Sequence, residues 1–322
     1  MPLPGMPSES HGGPTLLGAT AYDGLANRIS QVNGGCAHST FKAMDVSLMR
    51  LGFEALDSMR LAAKPNGEGS PGGGDDNLID GLPEEYIGEL IKEVVCHEVG
   101  HTLGLRHNFK ASSLYDMKEV NSPEFKGKAQ VGSVMDYNPV NINFNDGPAQ
   151  GDWVTPVIGP YDYWVIEYGY TSENDLKPVL AKCADPTLAY LTDEDTWGPD
   201  PYARRFDFGK DPVGWAESRM RLVQHLRSKI LERAVKDGES WEKARIAYLI
   251  TLSQHVTALS VSANWVGGSF VNRDRKGDVS PVTGKMRDPI ENIPAETQRR
   301  AMRLVIDNAF KHEVIGLTPD LL

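Results

Sequence analysis

The chain has little with which to staple or anchor itself. Cys36, Cys96 and Cys183 are its only cysteines. They are too few and too scattered for a disulfide framework or a cysteine zinc site, and their odd number leaves at least one thiol unpaired. No unbroken apolar run approaches the roughly 20 residues that span a bilayer. The opening residues, MPLPGMPSESHGG, lack the basic start and the apolar stretch of a secretory signal. Clustered Lys and Arg are also missing, and the formal net charge of -11 argues against a nucleic-acid surface, because phosphate binding relies on such clusters. What remains, at 322 residues and 40% apolar composition, is a globular chain long enough for one large or two ordinary domains.

Residues 1 to 40 are rich in Gly, Ser and Pro, and their one strand-like run, PTLLGATAY, is too short to form a sheet alone. From Ala43 to Ala63 the pattern turns helical, with Met44, Leu48, Leu51, Ala55 and Met59 on one apolar stripe and Val46, Met49, Phe53 and Leu56 on a second, which predicts a buried helix. KPNGEGSPGGGDDN, residues 64 to 77, reads as a surface loop. A helix follows. Asp80 can cap it, Pro83 suits its first turn, Glu84 and Glu85 favour its positive end, and Ile87, Leu90, Ile91, Val94 and Val95 are expected to form its buried face, with Gly104 as a left-handed stop. Residues 105 to 158 look irregular, and GPYDYWVIEYGY starts an aromatic helix. The last third predicts three more helices: one opened by Asp211 and Pro212, one running from Ser240 to Gly267, and one over about Pro294 to Phe310. There is no internal repeat.

The densest chemistry lies in CHEVGHTLGLRHNF, residues 96 to 109, in a chain with eight histidines. On a helix, His97 and His101 project from one face, so their nitrogens can converge on one tetrahedral ion. Gly104 then turns the chain so that His107 approaches from a new direction. Glu98 projects beside them without being a ligand. Three neutral imidazoles leave a dication uncompensated and one position open for water, whose pKa falls towards ~7, and Glu98 is placed to take its proton as general base. An isolated H-x-x-x-H is often two ordinary histidines; here Glu98, Gly104 and His107 complete H-E-x-x-H-x-x-G-x-x-H. Cys96, one residue before His97, points to another face and is expected in the core rather than as a fourth ligand.

This motif resembles that of the metzincin metalloproteases, and VGSVMDYNPV, residues 131 to 140, matches the methionine-bearing turn that such proteins place beneath the metal. The resemblance implies Met135 as the apolar floor of the site. It also implies Tyr137 as a side chain that reaches the metal or the tetrahedral intermediate. GPYDYWVIEYGY, AYLTDEDTWGPDP, RFDFGKDP and IPAETQRRAM extend the likeness to the catalytic and following helical part of the large bacterial zinc-dependent metalloproteases, over about residues 30 to 322. Those proteins are generally exported and longer at both ends, so the chain reads as an internal fragment whose home is periplasmic or extracellular. Metzincin catalytic domains place a mixed sheet before the zinc helix, where an extended peptide pairs with its edge strand. Residues 1 to 82 are mostly helix and loop, so that sheet is expected upstream.

Other residues invite weaker readings. Asp162 could orient a ligand histidine or cap its own helix. TDEDT, residues 192 to 196, lacks the spacing of a calcium loop and reads as a solvated acidic turn. His225 and His255 sit inside helices and read as structural, while His11, His38 and His312 carry no signal.

The expectation is therefore a mainly α fold, α+β if an upstream sheet is included. It divides into a tail or upstream remnant at 1–40, a metzincin-like core at 41–170 and a helical subdomain at 171–322. Function is expected to be zinc-dependent endopeptidase action on a peptide or protein substrate, with one catalytic Zn2+ on His97, His101 and His107, Glu98 as base and Tyr137 stabilising the oxyanion. The rivals are a zinc-binding module without turnover and a zincin with a downstream glutamate as third ligand. Oligomeric state is not legible.

Overall fold

A computed structural model of the chain describes residues 38–55, 78–79, 82–144, 150–272, 276–277, 279, 284–316 and 318–319. Of the expected tail at 1–40, residues 1–37 lie outside them, as do the loop at 64–77, the last turns of the first helix, Cys36, His11 and Asp80, whereas residues 38–40 are already helical.

Helix α1 spans His38–Ala55, beginning earlier than its apolar stripes suggest. It buries Leu48, Met49, Leu51 and Phe53 while Met44 is exposed. A minimal hairpin, β1 (Leu78–Ile79) and β2 (Leu82–Pro83), pairs Leu78 with Pro83 and Ile79 with Leu82, and leads directly into α2, Glu84–Thr102. Pro83 itself is the N-cap residue, so it precedes the first turn rather than occupying it.

The buried face of α2 departs from the expected one. Leu90 is buried, but Ile91 and Val95 are 58% and 52% exposed and, with Val99 and Leu103, form an outward apolar stripe at i, i+4 spacing. The inward stripe is Tyr86, Leu90, Glu93, His97 and Gly100. Two polar residues occupy it because each has a partner there: Glu93 makes a buried ion pair with Lys42 of α1 at 2.5 Å, and His97 bonds a main-chain carbonyl. The helix ends in a Schellman arrangement, with Gly104 at φ 87°, Gly104 N–H on His101 O and Leu105 N–H on Gly100 O, both at 3.0 Å.

Beyond it the chain runs through short turns and the one-turn helix α3 (Met117–Val120), whose Asp116 and Glu119 form a reciprocal capping box. Helix α4 (Pro160–Tyr170) and the short α5 (Lys177–Leu180) follow. The helical last third matches the sequence signals. Asp211 caps α6 (Pro212–Ser228) by accepting from Gly214 N–H at 3.1 Å, and a π-helical turn, Ile230–Ala234, continues it. Then come α7 (Glu242–Ala263), a hairpin of β3 (Ser269–Val271) with β4 (Ile290–Asn292), and α8 (Ala295–Ala309). The fold is mainly α with two small hairpins among the described residues.

Two apolar clusters organise this part of the core, and the first fixes where α2 stands. One joins Leu48, Met49 and Phe53 of α1, Tyr86 and Leu90 of α2, Trp153, and Leu222 and Leu226 of α6. The other joins Val131 to Trp215, Val223 and Val261. Each fully buried side chain of this size contributes about 1.5–3 kcal/mol, so α1 ties α2 firmly to the helical C-terminal part. Helix α7 is long and apolar enough by length and composition to cross a membrane, an exception to the absence of such runs read from the sequence. It packs instead against α6 and α8, and His255 Nε2–H donates to Asn308 O at 2.8 Å, as in the core helix of a globular domain.

Candidate metal centre

His97 and His101 lie one turn apart on α2, and the Gly104 turn returns the chain so that His107 faces them. Their ligating nitrogens all lie within 4.8 Å of one another. No glutamate belongs to this group among the described residues.

The second nitrogen of each ring settles what the first can do. His97 Nδ1 bonds Val134 O at 2.7 Å, and His101 Nδ1 bonds Leu105 O at 3.0 Å. A carbonyl oxygen only accepts, so both rings carry their proton on Nδ1 and present a lone pair at Nε2. His107 Nδ1 faces both oxygens of the Asp193 carboxylate, at 3.0 and 3.1 Å. Burial alone would raise the Asp193 carboxyl. The His107 N–H and the Arg205 guanidinium outweigh it and hold that carboxyl below its ordinary value. His107 therefore also donates from Nδ1. His101 Nε2 and His107 Nε2 stand 3.1 Å apart, two lone pairs with no proton between them. That separation is close to the ~3.3 Å edge of a tetrahedron with metal–nitrogen bonds of about 2.0–2.1 Å. The donor set fits zinc. Burial, with the neighbouring imidazoles, pushes the His97 ring down to about 3, so it stays neutral as a ligand must.

Met135 is fully buried on the helix side of its turn, against Leu105, Val134 and Cys96. A Cβ added at Gly100 would overlap its sulfur, which explains a glycine in the last turn of α2 despite its poor helix propensity. The turn is held from below by Asp162. Its carboxylate accepts from Ser133 Oγ at 2.5 Å, from Val134 N–H at 2.9 Å and from Gly159 N–H at 2.8 Å. The two sequence readings of Asp162 thus merge: it caps α4, and it reaches His97 through Val134, whose carbonyl accepts the His97 ring proton.

Two contributors escaped the sequence. Asp193 belongs to the segment read as a solvated acidic turn, yet it is 3% exposed and accepts from Arg205 at 2.9 Å as well as from His107. Only its neighbour Glu194 is at the surface, paired with Arg106 at 2.6 Å. The segment is amphipathic, and nothing local marks Asp193 as the inward one. His38, at the start of α1, stacks on the His97 ring with centroids 4.5 Å apart and planes 13° apart, and its Nε2 is buried without a hydrogen-bond partner.

Glu98 follows His97 on α2 and is half-buried, and His101 is the most accessible of the three rings. Tyr137 is buried, its ring edge-on to His107 at 4.8 Å and packed among Phe109, Phe206 and His38. Aromatic rings thus close one side of the centre, and His101 is its least buried ligand.

A family model described as Met-zincin matches residues 80–322. No curated protein and no solved structure matches the chain.

Proposed function

This chain belongs to the Met-zincin family, and from that premise we propose that it is a zinc-dependent endopeptidase with His97, His101 and His107 as ligands. The family suggests zinc-dependent metalloprotease activity. The observation that carries the reading is that all three Nδ1 atoms are occupied by acceptors, leaving three Nε2 lone pairs to converge. Second-sphere acceptors of this kind fix tautomer and ring orientation, a feature of metal sites.

Zinc held by these three imidazoles would supply a Lewis acid and lower the pKa of water towards ~7. Glu98, half-buried and next to His97 in the chain, takes the proton of the attacking water and returns it to the leaving amine. Met135 supplies an apolar floor, and Tyr137 donates a hydrogen bond to the oxygen on which charge develops. The finer likeness to the large bacterial zinc metalloproteases belongs to the same proposal, as does a peptide or protein substrate.

The test is Glu98→Ala. The purified chain should hold about one zinc per molecule, and the variant should keep it. Hydrolysis of an unfolded protein such as casein should fall roughly 100-fold or more. A variant retaining a tenth of the turnover excludes Glu98 as base. Zinc at full occupancy with no cleavage by the unaltered chain would favour the zinc-binding module without turnover.

A further inference from the structure

One face of α1 runs along the metal centre, and its side chains touch both elements that carry the site. His38, Phe41, Lys42 and Asp45 share that face at i, i+3, i+4 and i+7. The His38 ring lies on His97 of α2, with centroids 4.5 Å and planes 13° apart, and stands 5.1 Å from the Tyr137 ring of the methionine turn. Phe41 packs on Phe206 at 4.0 Å, and Phe206 N–H donates to Tyr137 O at 3.1 Å. Lys42 Nζ meets Glu93 Oε2 at 2.5 Å, both side chains buried, and Asp45 Oδ2 accepts from Val140 N–H at 3.0 Å. The contacts of His38 with His97 and of Lys42 with Glu93 lie one turn apart on each helix, so α1 and α2 pack antiparallel in a fixed register. Helix α1 precedes residues 80–322, the part that the family model matches.

His38 is 1% exposed and its Nε2 has no hydrogen-bond partner, so a protonated ring would be a buried unpaired cation, and the ring is neutral. It therefore presents a neutral aromatic face to His97. The bond from His97 Nδ1 to Val134 O fixes one edge of the His97 ring, but a ring held at one edge can still tip about it. A second ring lying flat on its face removes that freedom. A metal on His97 Nε2 would draw electron density out of the imidazole, and a ring so polarised is held more strongly by the negative face of a neutral neighbour. On the reading of His97 as a zinc ligand, we propose that His38 is a positioning residue of the hydrolytic centre: its ring sets the tilt of His97 and the place of Tyr137, and the Lys42–Glu93 pair latches it there. His38 is not itself a ligand, since the nitrogens gathered within 4.8 Å of one another are those of His97, His101 and His107.

The test uses the full chain loaded with zinc or, for its visible spectrum, with cobalt(II). His38→Ala should weaken zinc binding roughly 10 to 100-fold, as the loss of a group that orients a ligand does, and should shift the ligand-field bands of the cobalt form, which follow ligand geometry. With zinc saturating, kcat should fall while KM stays close to that of the unaltered chain, because contacts made in the ground state are untouched. His38→Phe, which keeps a flat ring, should recover most of the affinity and of the cobalt spectrum. Lys42→Met, which breaks the latch, should shift the same bands, and combined with His38→Ala it should add little, as expected of residues that act as a unit. His38→Leu, which fills the volume without a flat ring, takes the place of the alanine variant if that one does not fold. Unaltered affinity and spectrum in the variant without a ring would overturn the proposal. A phenylalanine variant as impaired as the alanine one would overturn it too, because the nitrogen and not the ring would then matter. No metal on the unaltered chain would overturn the zinc reading and this inference together, whereas metal held tightly but indifferent to residue 38 overturns this inference alone.

Discussion

Gly100 lies against the sulfur of Met135, so closely that a single methyl group at that position would overlap it. The helix that carries His97 and His101 and the turn that carries Met135 are therefore fitted to each other at a helical residue without a side chain. Gly100→Ala sets two effects in opposition. The helix gains up to about 1 kcal/mol of propensity, while overpacking a fully buried contact costs about 1–3 kcal/mol. The second should win, because Met135 is completely buried and its neighbours Leu105 and Val134 leave it no slack. The denaturant midpoint should fall and zinc affinity with it. A more stable alanine variant would show that the thioether is free to move aside.

Asp193 is expected to act on zinc through His107. Its carboxylate holds the ring's Nδ1 proton, and Arg205 holds the carboxylate. Asp193→Ala should weaken zinc binding roughly 10 to 100-fold, the usual cost of removing such a partner. Asp193→Asn keeps an acceptor oxygen and should lose less. Competition with a chromogenic chelator reads both values, and unchanged affinity in the alanine variant would deny the role.

How much of this was legible depended on distance along the chain. His97, His101 and His107 were readable because helix periodicity and one glycine turn bring close neighbours in sequence together. Met135 and Tyr137 were readable by resemblance. Asp193 was not, because its partner His107 is remote in sequence and the acidic residues around it look alike until the fold turns one inward. His38 lacked a signal for the same reason. The face of α2 was misjudged at Ile91 and Val95 because apolar periodicity cannot see that Glu93 and His97 are buried with partners, so the outward stripe looked like the inward one. The three C-terminal helices were legible throughout, since Asp211, Pro212, Gly238 and Gly267 punctuate them locally.

Acid should destabilise the zinc-free protein ahead of the ordinary carboxylate range. Burial lowers the His97 imidazole from 6.5 to about 3 in the folded chain, so between those values the unfolded chain binds a proton that the folded chain refuses. Stability therefore falls as pH falls through that window, by up to ~1.4 kcal/mol per pH unit for one such group. His101, also lowered by burial, acts in the same direction. Urea titrations of the chelated protein from neutral pH to pH ~4 measure the slope. His97→Gln should make it shallower, and a flat profile in the unaltered chain would contradict the burial of a neutral ring.

Tyr137 offers the sharpest division between chemistry and packing. Its ring is held edge-on to His107 and wedged among His38, Phe109 and Phe206, so the ring itself has little freedom and the hydroxyl is the only part that chemistry can use. A hydrogen bond made only as charge develops on the substrate oxygen lowers the barrier without tightening the ground state, so it appears in kcat rather than KM. Tyr137→Phe keeps every ring contact and deletes only that donor. By analogy with removing one oxyanion-hole donor, kcat should fall by roughly 10 to 1,000-fold while KM barely moves. Zinc content should stay the same, because the three ligands and their Nδ1 partners are untouched. If the hydroxyl serves only the packing of the turn, kcat will be unchanged and the melting temperature will drop instead.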